Sequence, residues 1–256
     1  MALPEPTDPW APLRALTPAR IGLGAAGASQ PTRAQLAFQL AHARARDAVH
    51  HAFDPSSLLH ALAAAGRPAI VVASEAADRP TYLRRPDLGR RLAAEARARL
   101  GALRNHSGEP WDAAFVVADG LSALAAERHS LPLLERMLAR TDAAGWRIAP
   151  IVIAHQARVA SGDEIGAALD VPLIAVLIGE RPGLSSPDSL GVYLTWEPRP
   201  GRADAERNCI SNVRPDGLNA DAAATRLWYL MREARRRQLT GVALKDESAT
   251  TILTTG

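Results

Sequence analysis

The chain contains 256 residues, with 30 Lys and Arg against 27 Asp and Glu, and its formal net charge is +3. A hydrophobic content of 47% and a charged content of 22% are typical of globular proteins and exclude a disordered or fibrous chain. No apolar run approaches the roughly 20 residues that a membrane-spanning helix needs, and the first residues lack the pattern of a secretory signal. We therefore expect one large globular domain or two modest ones.

The basic residues are almost all arginine, since Lys245 is the one lysine in the sequence. Arginine serves ion-paired interfaces as well as phosphate contacts, and most of these arginines lie among Asp and Glu. Aromatic side chains, on which nucleic-acid bases stack, make up only 4% of the residues, so the composition does not favour nucleic-acid binding. The single cysteine, Cys209, excludes an internal disulfide and a metal site built from several cysteines, and it fits a reducing compartment.

The first part of the chain predicts an extended arm followed by two helices. Residues 1–30 are rich in Pro and Gly and lack periodicity, which is typical of a segment that lies against a partner or is disordered. Helical spacing then predicts helices over residues 34–51 and 58–65, the second ending at Gly66. We expect residues 1–66 to form this arm and a small helical subdomain.

From residue 67 onward, predicted strands and helices alternate. Short apolar, partly β-branched runs predict strands buried on both faces, at residues 68–74, 114–118, 148–153, 172–178 and 190–196. Helical patterns follow them, at residues 88–103, 121–143, 157–169 and 220–238. This alternation predicts an α/β domain over residues 67–256 with a mostly parallel sheet, in which residues 250–256 form either an edge strand or a loose tail.

Polar or glycine-containing segments begin where four of these strands end. They are Ser74-Glu75, Asp119–Ser122, His155-Gln156 and Gly179–Gly183. In open parallel sheets, ligands bind in the crevice beyond the carboxyl ends of the strands. We therefore place the candidate binding site at this edge of the sheet.

Two motifs in the N-terminal part do not support the sites that they first suggest. Residues 22–27 match the dinucleotide pattern G-x-G-x-x-G, but no predicted strand precedes them and Pro31 separates them from the next helix, so we interpret them as a flexible glycine arm. His42, His50 and His51 lack the i, i+4 spacing of a zinc-binding helix. The sequence predicts no metal ligands.

Cys209 could be a nucleophile, because Arg207 and Arg214 flank it and His155 ends a neighbouring predicted strand. The alternative is that this small residue is simply packed.

The segments 179–190 and 207–215 are both dense in residues whose side chains form hydrogen bonds to the backbone. Both segments are suited to hold a ligand or a neighbouring chain. For the first segment, an ordinary turn is the alternative interpretation.

Six longer motifs occur in order along nearly the whole chain, at residues 17–24, 38–50, 82–90, 119–123, 179–191 and 207–215. Together they resemble the small (light) subunit of ethanolamine ammonia-lyase, the adenosylcobalamin-dependent enzyme that converts ethanolamine to acetaldehyde and ammonia. The resemblance implies a Rossmann-like domain that holds much of the corrinoid and supplies no catalytic acid or base. It also implies a large subunit, a β/α barrel, that carries the substrate site.

The family's cobalamin-contacting positions fall on Val159, Glu180 and Cys209 of this sequence. The resemblance implies that Glu180 accepts a hydrogen bond from a corrin amide, while Val159 and Cys209 make apolar or soft contacts. The motif Asp-x-His-x-x-Gly, whose histidine replaces the nucleotide base on cobalt, is absent from the sequence. We therefore expect base-on binding, with the cofactor's own dimethylbenzimidazole ligating the cobalt.

The resemblance further implies an assembly of heterodimers in the cytoplasm, with enclosure in a bacterial microcompartment left open. Two other classes of protein compete with this interpretation. One is a stand-alone α/β enzyme that uses Cys209 as its nucleophile, and the other is a nonenzymatic adaptor that binds only protein. The long arm, the arginine-rich helices and the lack of a convincing acid–base set favour an obligate subunit.

Overall fold

The computed structural model describes residues 9–104 and 110–248, and its centre is a six-stranded sheet. The strands are β1 (Ala69–Ala73), β2 (Ala114–Ala118), β3 (Ile151–His155), β4 (Leu173–Gly179), β5 (Leu190–Trp196) and β6 (Arg207–Val213). Their order is β1-β3-β2-β4-β5-β6; the first four are parallel, and β5 is antiparallel to both of its neighbours. The predicted α/β fold with a mostly parallel sheet is confirmed.

Helices cover both faces of the sheet. They are α1 (Ala11–Arg14), α2 (Thr32–His50), α3 (Ser56–Ala64), α4 (Arg79–Arg84), α5 (Ala94–Leu103), α6 (Ala123–Ala143), α7 (Ser161–Leu169) and α8 (Ala220–Arg237). Apolar residues of α3, α6 and α8 pack on one face, and those of α5 and α7 pack on the other. Every residue of β2 and β4 is buried between these layers, which explains why both strands are uninterrupted apolar runs.

The polar segment at residues 207–215, which was not predicted as a strand, contains β6. Among the described residues, this strand lies at the edge of the sheet, where its neighbouring strand is β5. Its exposed positions are polar while Ile210 and Val213 are buried, so the apolar signal is confined to a few positions. A strand of this kind is hard to distinguish from a loop by composition.

The predicted helix over residues 88–103 is interrupted. A short 3₁₀ turn spans Leu88–Arg90, and α5 begins only at Ala94. Between them, the Ala93 N–H donates to the Ala73 carbonyl of β1 at 3.1 Å, and the Leu92 N–H donates to Glu164 at 2.9 Å. These tertiary hydrogen bonds replace the helical ones. The short helix α4 was also missed by the sequence analysis.

The N-terminal part contains the two predicted helices, α2 and α3, and one further turn of helix, α1, within the predicted arm. Leu58 and Leu62 of α3 belong to the same apolar cluster as the sheet. The domain boundary at residues 66/67 stays a prediction, and the predicted strand or tail at 250–256 lies outside the described residues. No helix in the described part of the chain combines the length and apolar character needed to span a membrane.

A candidate cofactor trough at the carboxyl edge

A cavity of about 670 Å³ lies where β4 ends, enclosed by β5, β6 and the loop after β3. We call it the Glu180 cavity. Its lining includes Val159, Glu180, Tyr193 and Ser211, so two of the three predicted contact residues lie on its wall. Of the four polar strand ends, those of β2 and β4 line it, whereas Ser74-Glu75 and His155-Gln156 do not.

The Glu180 carboxylate is held by three donors. Ser189 Oγ donates to Oε2 at 2.7 Å, Ser211 Oγ donates to Oε1 at 2.6 Å, and the Asn212 N–H donates to Oε2 at 3.2 Å. A β-bulge in β6, with Asn212 at φ 60°, directs this strand end toward the carboxylate. Since a carboxylate offers about four acceptor sites, one remains for a ligand donor.

Asp119, at the end of β2, fixes the loop that carries Val159. Its buried carboxylate accepts from the backbone N–H groups of Gln156 at 2.9 Å and Ala157 at 3.1 Å. Gln156 has φ 53°, a conformation that costs free energy in a non-glycine residue. Burial raises the pKa of Asp119, although Arg79 lies 3.5 Å away and favours the charged form.

We expect Asp119→Ala to destabilise the protein by about 2–3 kcal/mol, because it leaves two backbone donors without an acceptor and Gln156 without its restraint. Asp78→Ala, which removes only the exposed cap of α4, is the matched control and should cost about 1 kcal/mol. Urea unfolding of both variants measures the difference. Equal losses would mean that Asp119 has no special role in holding the loop.

Tyr82 packs against the same loop and forms a hydrogen bond with it. Its side chain is fully buried, its hydroxyl donates to the Ala157 carbonyl at 3.3 Å, and burial raises its pKa. The guanidinium of Arg158 lies 4.4 Å from the ring centre on one side, and that of Arg79 lies 4.9 Å away. Tyr82 and Arg158 could not be predicted as site residues from the sequence, because only tertiary packing brings them to the cavity.

Cys209 lies on β6 directly opposite Tyr193 on β5. The residue as a whole is exposed, but its sulfur is partly shielded from water by the packing around it. This burial and the nearby Glu180 carboxylate both disfavour the thiolate, whereas a hydrogen bond with Tyr193 favours it. The net effect is a raised pKa of the Cys209 thiol. His155 is on β3, four strand spacings away, or about 19 Å. The structure therefore does not bring together the cysteine–histidine pair that a nucleophile requires.

A second cavity of about 600 Å³ adjoins the first and shares Arg158, Val159 and Tyr193 with it. We call it the arginine pocket, after the five arginines in its lining, which are Arg90, Arg91, Arg158, Arg202 and Arg207. The two cavities together form one trough along β5 and β6. Cys209 lies on β6 between Arg207 of one cavity and Ser211 of the other, and strand alternation places all three on the same face.

A buried ion pair between Arg207 and Asp163 lies in the lining of the arginine pocket. Two nitrogens of Arg207 donate to the two carboxylate oxygens of Asp163, at 2.6 and 2.7 Å, and both side chains are 2% exposed. Burial opposes the charge of Arg207, but the hydrogen bonds to Asp163 outweigh it and raise the pKa of Arg207. Within the described residues, no group of three or more His, Cys, Asp or Glu side chains could hold a metal ion.

Residues 7–245 match the model of a protein family described as "Ethanolamine ammonia-lyase light chain (EutC)". The ethanolamine ammonia-lyase small subunit of Azotobacter vinelandii is 58% identical over 96% of this chain and 91% of its own length. That of Pseudomonas fluorescens is 58% identical over 95% and 88%, and that of Xanthomonas campestris is 56% identical over 98% and 92%. The chain therefore belongs to the ethanolamine ammonia-lyase light-chain family.

Proposed function

We propose that this chain is the small subunit of an adenosylcobalamin-dependent ethanolamine ammonia-lyase and that its trough holds cobalamin against a large subunit. The observation that carries the proposal is the position of Val159 and Glu180, which share one cavity at the carboxyl edge, with Cys209 on the adjoining strand. The family name and the names of the similar small subunits, ethanolamine ammonia-lyase, support this proposal. The proposed reaction is the conversion of ethanolamine to acetaldehyde and ammonia.

The residues of the trough fit a corrinoid, which is a broad ring bearing amide side chains. The two cavities, of about 670 and about 600 Å³, together give room for a large ligand. The absence of a side chain at Gly191 leaves space beside Glu180 and Tyr193, since a Cβ there would lie 3.0 Å from Glu180 Oε1 and 3.3 Å from the Tyr193 ring. Glu180 offers its remaining acceptor site to an amide N–H, while Val159 and Cys209 offer apolar and soft surface.

Adenosylcobalamin, when bound, supplies the radical by homolysis of its cobalt–carbon bond. This chain's residues would bind and orient the corrinoid: Glu180 would fix one amide, and Val159 and Cys209 would exclude water from the ring. None of them would act as acid or base, and the large subunit would carry the substrate site. Binding would be base-on, and the subunits would assemble as heterodimers within a larger cytoplasmic complex, with enclosure in a microcompartment as the open alternative.

We expect Glu180→Ala, in the complex copurified with its large subunit, to raise the Kd for cyanocobalamin about tenfold, because one charge-assisted hydrogen bond is lost. Val159→Asp should have at least as large an effect, since it adds a carboxylate to an apolar wall, and Cys209→Ala a smaller one. Arg232→Gln, an exposed change on α8, which packs on the other face of the sheet, is the control. The absorbance of the bound corrinoid gives the Kd, and unchanged affinity in all three trough variants would remove the proposal.

A further inference from the structure

The arginine pocket contains more positive charge than its carboxylates neutralise. Besides its five arginines, it is lined by Asp163, Glu164 and Asp204. The Asp163 carboxylate forms an ion pair with Arg207. The Glu164 carboxylate forms one with Arg97, which lies outside the pocket, with 2.9 Å between Glu164 Oε2 and Arg97 Nη2. Asp204 is 99% exposed and lies 3.6 Å from Arg207. The carboxylates of the lining are therefore paired or in water.

Two of the five arginines have no carboxylate partner in the described part of the chain. Arg207 and Arg202 pair with Asp163 and Glu206, and Arg91 lies 3.1 Å from Glu75. For the two that remain, Arg90 and Arg158, no carboxylate oxygen lies within 4.0 Å of a side-chain nitrogen in residues 9–104 and 110–248. The pocket therefore has two guanidinium groups available to an anion.

Arg158 is placed to meet a ligand that spans both cavities. It lines both of them, and its guanidinium lies against the Tyr82 ring. Among the described residues, that guanidinium makes a single hydrogen bond, to the Tyr82 carbonyl at 3.4 Å. Its Nε is buried and has no acceptor among the described residues. The described residues therefore leave much of the hydrogen-bonding capacity of this guanidinium unused.

We propose that the arginine pocket binds a phosphate group, namely the phosphodiester in the nucleotide tail of cobalamin, through Arg158 and Arg90. This rests on the proposed function. Guanidinium groups bind phosphate oxygens in a bidentate manner, which suits two arginines that line the same pocket. Arg207 and Ser211 are four residues apart on β6, about 13 Å, so a ligand whose corrin lies at Glu180 can place its tail in the pocket.

Three probes separate the phosphate from the rest of the cofactor in the copurified two-subunit complex. They are cyanocobalamin, cobinamide phosphate, which keeps the phosphate without the base, and cobinamide, which lacks both. We expect Arg90→Gln and Arg158→Gln each to raise the Kd about tenfold for the first two and less than twofold for cobinamide. Arg90 is exposed, so Arg90→Gln tests the phosphate contact even if Arg158→Gln disturbs the packing of Arg158 on the Tyr82 ring.

Arg232→Gln, on the other face of the sheet, is the matched control and should change none of the three Kd values. Equal weakening of all three probes, or of none, would overturn the phosphate assignment while leaving the proposed function intact. Weakening of cyanocobalamin alone would assign the effect to the nucleotide base and would also overturn it. Failure of the unchanged complex to bind any of the three corrinoids would instead overturn the proposed function.

Discussion

Asp163→Ala is expected to destabilise the protein by about 3–5 kcal/mol, because it leaves the buried Arg207 guanidinium without a carboxylate in hydrogen-bond distance. Arg207 is 2% exposed, and its other acceptors are neutral, the Thr195 hydroxyl at 3.1 Å and the Arg202 carbonyl at 2.9 Å. These neutral contacts do not replace a bidentate carboxylate. Urea unfolding, followed by tryptophan fluorescence, measures the change.

A matched control is available for this pair, since Arg207 also lies 3.6 Å from the exposed Asp204. Asp204→Ala should cost less than about 0.5 kcal/mol, because an ion pair in water contributes little. The double variant Asp163→Leu with Arg207→Met removes both buried charges and should recover much of the stability lost in Asp163→Ala. A double variant as unstable as the single one would contradict this electrostatic explanation.

Gly179→Ala is expected to be at least as damaging, with a loss of about 4 kcal/mol or more. A Cβ on Gly179 would lie 1.9 Å from the Ser122 carbonyl oxygen and 2.6 Å from that of Asp119. Both are backbone atoms, so the end of β4 and the start of α6 would have to separate. The Leu121 N–H, which donates to the Gly179 carbonyl at 2.9 Å, would lose its partner in this shift.

The same separation would move Glu180, the next residue, away from its three donors. Under the proposed function, Gly179→Ala should therefore also abolish cobalamin binding by the two-subunit complex, in addition to lowering the stability of this chain. Gly101→Ala is the control: it lies in α5, a Cβ there meets nothing within 4 Å, and alanine should stabilise the helix by about 0.5–1 kcal/mol. A Gly179→Ala protein that unfolds at the urea concentration of the unchanged chain would contradict this close approach.

The central strands and most of the helices could be predicted from the sequence, because their burial makes the pattern continuous. β2 is apolar at every position, and the Asn219 side chain caps α8 by accepting from the Ala222 N–H at 2.9 Å. β6 could not be predicted in this way, since an edge strand with polar exposed positions lacks that continuity. The break before Ala94 depends on hydrogen bonds from other elements, and a local pattern does not show them.

The position of the candidate trough at the carboxyl edge of the sheet could be predicted from the sequence, but its extension into the arginine pocket could not. Polar residues after the strands indicated the carboxyl edge, and Val159 and Glu180 do line one cavity there. The arginine pocket was not predicted, because Arg90 and Arg158 are far apart in sequence and arginines are common throughout this chain. Tertiary packing on Tyr82 brings Arg158 to the boundary between the two cavities.

The most direct test of the account is turnover of ethanolamine by this chain coexpressed with a candidate large subunit from the same operon. We predict that acetaldehyde and ammonia form only when both chains and adenosylcobalamin are present, with no activity when any one of the three is omitted. Turnover by the large subunit and cofactor without this chain, or by the two chains without adenosylcobalamin, would contradict it.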